Sequence, residues 1–261
     1  MADGSSPGEP GPAAGPPPAQ PGARPAFYAA RQGPWRDWWT LLHPPYTAWH
    51  LSYVVIGASL APRIRLSTMI LTLLAFFLAV GVAAHAVDEL RGRPLQTQIP
   101  GSVLIGVTVA GLIGALGCGV VGVERAGWGV VPFLLVGPVL VIAYNAELFG
   151  GMIHTDLGFA VSWGAFPVLT GYAAQTGGLA IAPVLAAAGA LALSAAQRGL
   201  STPARLIRRR STQAEGTLTL ADGRIVTIDQ AYLLAPLEQA LRALSWATAL
   251  LAASLAVARL G

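Results

Sequence analysis

The sequence predicts an all-α fold, a polytopic transmembrane helical bundle of about seven spans. Two observations carry that prediction. Charged residues make up 11% of the chain, where a soluble domain carries about a quarter. The apolar residues, 54% of the total, fall in long runs separated by short polar breaks, and the mean hydropathy is +0.59.

The elements follow in order. Residues 1–26 are rich in Pro, Gly, Ala and Ser. Such a stretch cannot bury enough apolar surface to offset its ordering entropy, so it reads as a disordered tail. It has neither the basic start nor the apolar run of a signal peptide. Residues 27–43 hold Trp35, Trp38 and Trp39 around Arg36 and Asp37, then stop at Pro44-Pro45. Clustered Trp beside charge suits the headgroup zone, so this segment reads as a short interfacial helix.

The remainder, 44–261, reads as one transmembrane domain. Apolar runs place spans near 46–62, 66–87, 101–122, 128–146, 157–173, 179–197 and 237–258. Polar breaks separate them at 88–100 and 147–156, and a long polar insert covers 198–235. Within the insert, Thr217 to Leu220 and Arg224 to Ile228 flank Asp222-Gly223, which predicts a small β-hairpin on the cytoplasmic side. The abundant Gly and Ala let membrane helices pack closely.

All 16 basic residues are Arg, set against 12 carboxylates. With no Lys, a retinal Schiff base cannot form, which excludes a rhodopsin-type photoreceptor. A net charge of +4 fits Arg held in cytoplasmic loops facing anionic lipid, and no nucleic-acid partner is expected. An N-terminus in the cytoplasm puts twelve Arg on that side and only Arg63, Arg65, Arg125 and Arg259 outside. The expected location is therefore the cell membrane, N-terminus cytoplasmic. Cys118 is the single cysteine, so the chain has no intrachain disulfide.

That orientation gathers three polar breaks on one side. The first brings His85, Asp88, Glu89, Arg91 and Arg93. The second brings Asn145, Glu147, His154 and Asp156. The third brings Arg198, Arg205, Arg208, Arg209 and Arg210. His85 and Glu89 are four apart and share a helix face. Asp88 and Glu89 suit Mg²⁺ when substrate phosphates complete the coordination. They suit equally a helix end meeting headgroups. Guanidinium groups match phosphate oxygens, although a run of three Arg also serves as a lipid anchor.

The stretch TDLGFAVSWGAFPVLTGYAAQTG, from Thr155 to Gly177, resembles the fifth-helix region of the UbiA superfamily of membrane prenyltransferases, closest to the menaquinone-pathway branch. Leu157, Gly158, Gly164, Tyr172, Gln175, Thr176 and Gly177 match that pattern, with Pro167 shifted by one. The opening LHPPYTAWHLSYVVIGASLAP and the Arg93-Pro94-Leu95 and Thr97 positions are similar as well, so the resemblance runs over roughly 44–200. It implies transfer of an isoprenyl group from a diphosphate to an aromatic or quinone-type, lipid-soluble acceptor, with Mg²⁺ as cofactor. By resemblance, Asp88 and Glu89 are the catalytic and metal residues, and His85, Arg91, Arg93, Asn145, Glu147, Arg208 and Arg209 bind substrate. The family's two Asp-rich motifs are mostly replaced here: only Asp88 survives in the first, and the region after the sixth span has no carboxylate. Two further readings therefore stand beside the first. One is a UbiA-like protein that binds an isoprenoid, a quinone or a partner without transfer. The other is a transporter-like or scaffold membrane protein.

Overall fold

The computed structural model describes residues 25–31 and 33–260, so most of the tail predicted to be disordered lies outside the described residues. Among the described residues the regular structure is helical except for one two-stranded sheet. The helices are α1 (Pro34–Leu41), α2 (Pro44–Ser59), α3 (Leu66–Leu90), α4 (Gly101–Ala126), α5 (Trp128–Asn145), α6 (Asp156–Thr176), α7 (Ile181–Arg210) and, after the sheet, α8 (Gln230–Leu260).

Six of these, α3 to α8, are long and apolar enough to cross a membrane. That is compatible with an integral membrane protein. On α4, Ile105, Val109 and Ile113 recur every four residues and are exposed, a stripe that suits lipid. The segment predicted as the first of seven spans is different. It is the 16-residue α2, about 24 Å at 1.5 Å per residue and short of the roughly 30 Å hydrocarbon core. Its sequence also carries His50, Ser52 and Tyr53 on buried faces, which dilutes its hydropathy.

α2 is nonetheless the centre of the bundle. It packs against α6 and α8, and Trp49 and Tyr53 are fully buried with Val168 and Ala187 around them. The α2–α6 crossing is close because both helices offer glycine. A Cβ on Gly57 would overlap the Val168 carbonyl, and one on Gly171 would overlap the Val54 carbonyl. Small residues at such crossings bring backbones into contact.

The bundle has two ends. At the near end lie the start of α2, the end of α3, the α5–α6 loop, the end of α7 and the start of α8. At the far end, Arg65 donates to the carbonyls of Arg125 (2.9 Å) and Gln175 (2.8 Å), and Arg259 donates to Ala61 O (2.7 Å).

α7 runs thirteen residues beyond the predicted end of its span, so Arg198 to Arg210 are helical rather than loop. The polar residues there, Gln197, Ser201 and Arg205, repeat every four positions and share one face, which keeps the helix going past the apolar run. The hairpin forms as the sequence predicts. β1 (Glu215–Thr219) pairs antiparallel with β2 (Ile225–Asp229), Thr217 facing Thr227. Gly223, at φ +82°, makes the turn.

On α1, Trp35 and Trp39 are exposed while Trp38 packs inward on the Leu41–Leu95 cluster. Asp37 is buried and accepts from Gln98 N at 2.7 Å, which docks α1 on the 91–99 loop.

Candidate functional site

The near end encloses a cavity of about 130 Å³. All four histidines of the chain line it: His43, His50, His85 and His154. So do Asp88, Asn145 and the arginines Arg198, Arg205, Arg208 and Arg209. Tyr28, Tyr46, Tyr144 and Trp163 supply aromatic wall.

Local structure explains how these side chains reach one space. His43 caps the start of α2 in the left-handed region, at φ +47°, and Tyr46 and His50, four apart on α2, share a face. On α3 and α6, α-helix gives way to π-turns at Phe77–Ala84 and Val161–Ala165. Such turns shift the helix register and recur at functional sites. Here each π-turn supplies a carbonyl to a cavity histidine. His85 Nδ1 lies 3.1 Å from Gly81 O, and His50 Nδ1 lies 2.8 Å from Trp163 O. In the α5–α6 loop, His154 stacks on Tyr144 at 4.5 Å and places Nδ1 3.0 Å from Tyr144 O.

The arginines divide into held and unheld. Arg208 is chelated by Glu238, and Arg198 pairs with Asp156 at 2.9 Å. Arg205 and Arg209 have no carboxylate within 4 Å among the described residues. Arg205 donates to Thr202 Oγ1 at 3.3 Å, and Arg209 to Pro25 O at 3.1 Å. Both are electrostatic neighbours of Asp88. The site therefore holds two cations with spare donors beside a single uncommitted carboxylate, Asp88, since Glu238 is taken up by Arg208.

Three polar atoms in the cavity wall are buried and have no hydrogen-bond partner among the described residues: His43 Nε2, Tyr144 Oη and Gln197 Oε1. A buried polar atom left unpaired costs about 1–3 kcal/mol, and such atoms mark places where a ligand or water completes the bonding. Outside the spans, His43 is held well below the usual imidazole range. Burial is the main cause, and the neighbouring His85 and arginines add to it. Tyr28, whose hydroxyl lies 2.9 Å from His43 Nδ1, is pushed up by burial.

A second cavity, of about 90 Å³, lies beside the first and is apolar, with Leu112, Phe133, Pro138 and Phe166 in its wall. Val80 and Trp163, one from each π-turn, line both cavities. A polar chamber thus adjoins an apolar one across two side chains.

The residues read from sequence as site residues separate into two groups. His85, Asp88, Asn145, Arg208 and Arg209 line the cavity. Glu89, Arg91, Arg93 and Glu147 do not. Glu89 is fully buried, but its carboxylate accepts from Leu95 N (2.9 Å), Thr97 N (2.9 Å) and Thr97 Oγ1 (2.8 Å), holding the 91–99 loop. Arg93 braces the same loop through Ile99 O at 2.6 Å. Arg91 and Glu147 form a half-exposed pair at 2.9 Å that ties this loop to the next. The helix continues through His85 and Glu89, but consecutive residues at its end face different ways, so Asp88 meets the cavity and Glu89 the loop.

Sequence reasoning missed Tyr28, His43, Tyr46, His50, Gln197, Arg205 as an unheld cation, and Glu238. The spacing of His43, Tyr46 and His50 on an otherwise apolar helix was the available signal, as was the Gln197, Ser201, Arg205 stripe. Tyr28 had none, since it arrives through tertiary contact with His43 and Tyr46.

The donor set does not make a Mg²⁺ site by itself. Among the described residues there is no group of three or more His, Cys, Asp or Glu placed to hold a metal ion. Glu238 is committed to Arg208 and Glu89 to its loop, which leaves Asp88 alone. A scan against protein-family models and searches of curated proteins and of solved structures return no match to this chain.

Proposed function

We propose that this is a UbiA-like membrane protein that binds an isoprenyl diphosphate and transfers its prenyl group, with arginines rather than metal-holding aspartates facing the diphosphate. The observation that supports it most is the pairing of the two cavities. Arg205 and Arg209 offer charge-assisted donors to phosphate oxygens in the polar chamber. The apolar chamber beyond Val80 and Trp163 suits the prenyl chain. The likeness of residues 155–177 to the family's fifth helix supports the same reading.

In this reading the allylic C–O bond breaks and the diphosphate leaves with the electron pair, its charge met by Arg205 and Arg209. Trp163 and Tyr144 face the developing carbocation. The near end faces the cytoplasm, where the Arg-rich segments gather, and α2 runs with the six long helices as a shortened seventh span.

A second reading has its own support. With Asp88 as the one uncommitted carboxylate, the same cavity also suits binding of the amphiphile without transfer. One experiment addresses both. Purified protein in lipid nanodiscs is titrated with radiolabelled geranylgeranyl diphosphate, with Mg²⁺ or with EDTA, and product is then sought with added acceptors. Binding that survives EDTA and weakens about 10- to 100-fold in Arg205→Ala is the expected result. Product alongside binding selects the transferase, and binding without product selects the second reading. No binding under either condition overturns both.

A further inference from the structure

Three cavity histidines present the same chemistry. His50, His85 and His154 each place Nδ1 within 3.1 Å of a backbone carbonyl. A carbonyl only accepts, so each Nδ1 is the donor, and the neutral form of each ring offers its Nε2 lone pair as an acceptor. None of these Nε2 atoms has a donor among the described residues, and all three rings line the cavity. Gln197 adds an unpartnered Oε1 from a side chain that is 2% exposed. These atoms make up the acceptor part of the cavity wall, and the guanidinium groups of the same cavity make up its main donor part.

A diphosphate brings only acceptor oxygens. It satisfies Arg205 and Arg209 and leaves the acceptor wall unpaired. The acceptors come from α2, α3, α7 and the α5–α6 loop, so they converge from several directions. A flat phenol offers its donors in one plane. A sugar or polyol offers several O–H donors radiating from a compact frame.

We propose that the histidine–glutamine wall recognises a neutral polyhydroxylated headgroup, of sugar or polyol class, as the acceptor for the prenyl group. The bond formed is then an ether. A hydroxyl oxygen of the acceptor bonds to the allylic carbon, the carbon–diphosphate bond breaks with its electrons leaving on the diphosphate, and the hydroxyl proton passes to a facing Nε2. The proposal rests on the reading of Arg205 and Arg209 as the diphosphate site.

The test uses the full chain in nanodiscs with ¹⁵N-labelled histidine. The Nε2 resonances are followed by NMR as myo-inositol or 4-hydroxybenzoate is added, and geranylgeranyl diphosphate binding is measured on the same samples. The expected result is that myo-inositol shifts the Nε2 signals of His50, His85 and His154 while 4-hydroxybenzoate leaves them in place. Gln197→Leu should weaken the inositol response about tenfold, and His50→Phe serves the same purpose if that variant does not fold. Diphosphate binding with no inositol response overturns the polyol proposal and leaves the diphosphate site standing. An inositol response without diphosphate binding supports a polyol wall and overturns the transferase reading beneath it. A response to 4-hydroxybenzoate equal to that of myo-inositol overturns the proposed selectivity.

Discussion

At the far end of the bundle, Arg65 and Arg259 spend their guanidinium donors on carbonyls of neighbouring segments, and Gln175 exchanges two hydrogen bonds with the Arg65 backbone. At the near end, Arg205 and Arg209 face a cavity, Tyr144 Oη and Gln197 Oε1 are buried without partners among the described residues, and three histidines anchored through Nδ1 line the same space. The residue types are alike and the uses differ. The far end is closed by its own hydrogen bonds, which hold helix ends together. The near end leaves bonding capacity open, and open capacity in a buried place costs stability unless something fills it. Stability and binding should therefore separate along the bundle axis.

The largest expected effect comes from the seam joining the two ends. Gly57 and Gly171 allow α2 and α6 to touch, and any Cβ there meets a backbone carbonyl that cannot yield cheaply. Gly171→Leu should abolish the monodisperse peak in size-exclusion chromatography, since overpacking of a close crossing costs about 3 kcal/mol or more. A well-folded Gly171→Leu protein would mean that the crossing is looser than described.

A crossed pair of substitutions then tests the contrast of the ends. Arg205→Ala should weaken diphosphate binding about 10- to 100-fold and leave the melting temperature unchanged or raised, because it relieves repulsion among neighbouring arginines. Arg65→Ala should do the reverse, costing about 1–3 kcal/mol of stability with binding intact. Thermal unfolding followed by tryptophan fluorescence and nanodisc binding give the two readouts. Equal effects of both variants on both readouts would erase the distinction.

The contrast also shows what was legible in the sequence. The membrane class, the hairpin and most helix positions came from hydropathy and turn chemistry, which are local. The end of α7 was misplaced because hydropathy stops at about residue 197 while the helix is carried to Arg210 by a polar face lining a cavity. The site was half legible for a related reason. Asp88 and Glu89 are adjacent and chemically alike, and only the tertiary arrangement assigns one to the cavity and the other to three hydrogen bonds in the 91–99 loop. His43 and His50 were visible as a spacing on α2, but their meaning depended on carbonyls and neighbours far away in sequence, such as Trp163.

The next effect is smaller and falls on the near end alone. His43 is held well below its ordinary value of 6.5, so the unfolded chain binds its proton more readily than the folded one. Stability then falls as pH drops below about 6.5, by up to about 1.4 kcal/mol per pH unit for one such group until the folded-state value is reached. Unfolding curves between pH 7.5 and 5.5 should show this loss, and His43→Phe should flatten it. An unchanged slope in the variant would assign the acid sensitivity to another group.

The smallest effect lies in the hairpin, which belongs to neither end's chemistry. Asp222 accepts from the Arg224 backbone N–H at 3.0 Å and from its guanidinium at 2.6 Å, and these bonds hold its carboxyl below the usual value of 3.8. A depressed carboxylate stabilises the turn above the unfolded value, and that contribution is lost as pH falls through the folded one. The pair is solvent-exposed, so screening keeps its contribution small. Asp222→Asn should raise proteolytic cleavage within 220–225 modestly at pH 7 while leaving both diphosphate binding and the melting temperature of the bundle unchanged. A drop in binding would show instead that the hairpin bears on the cavity, because Gln230, at the start of α8 directly after β2, donates to Ile207 O on α7, one residue before Arg208.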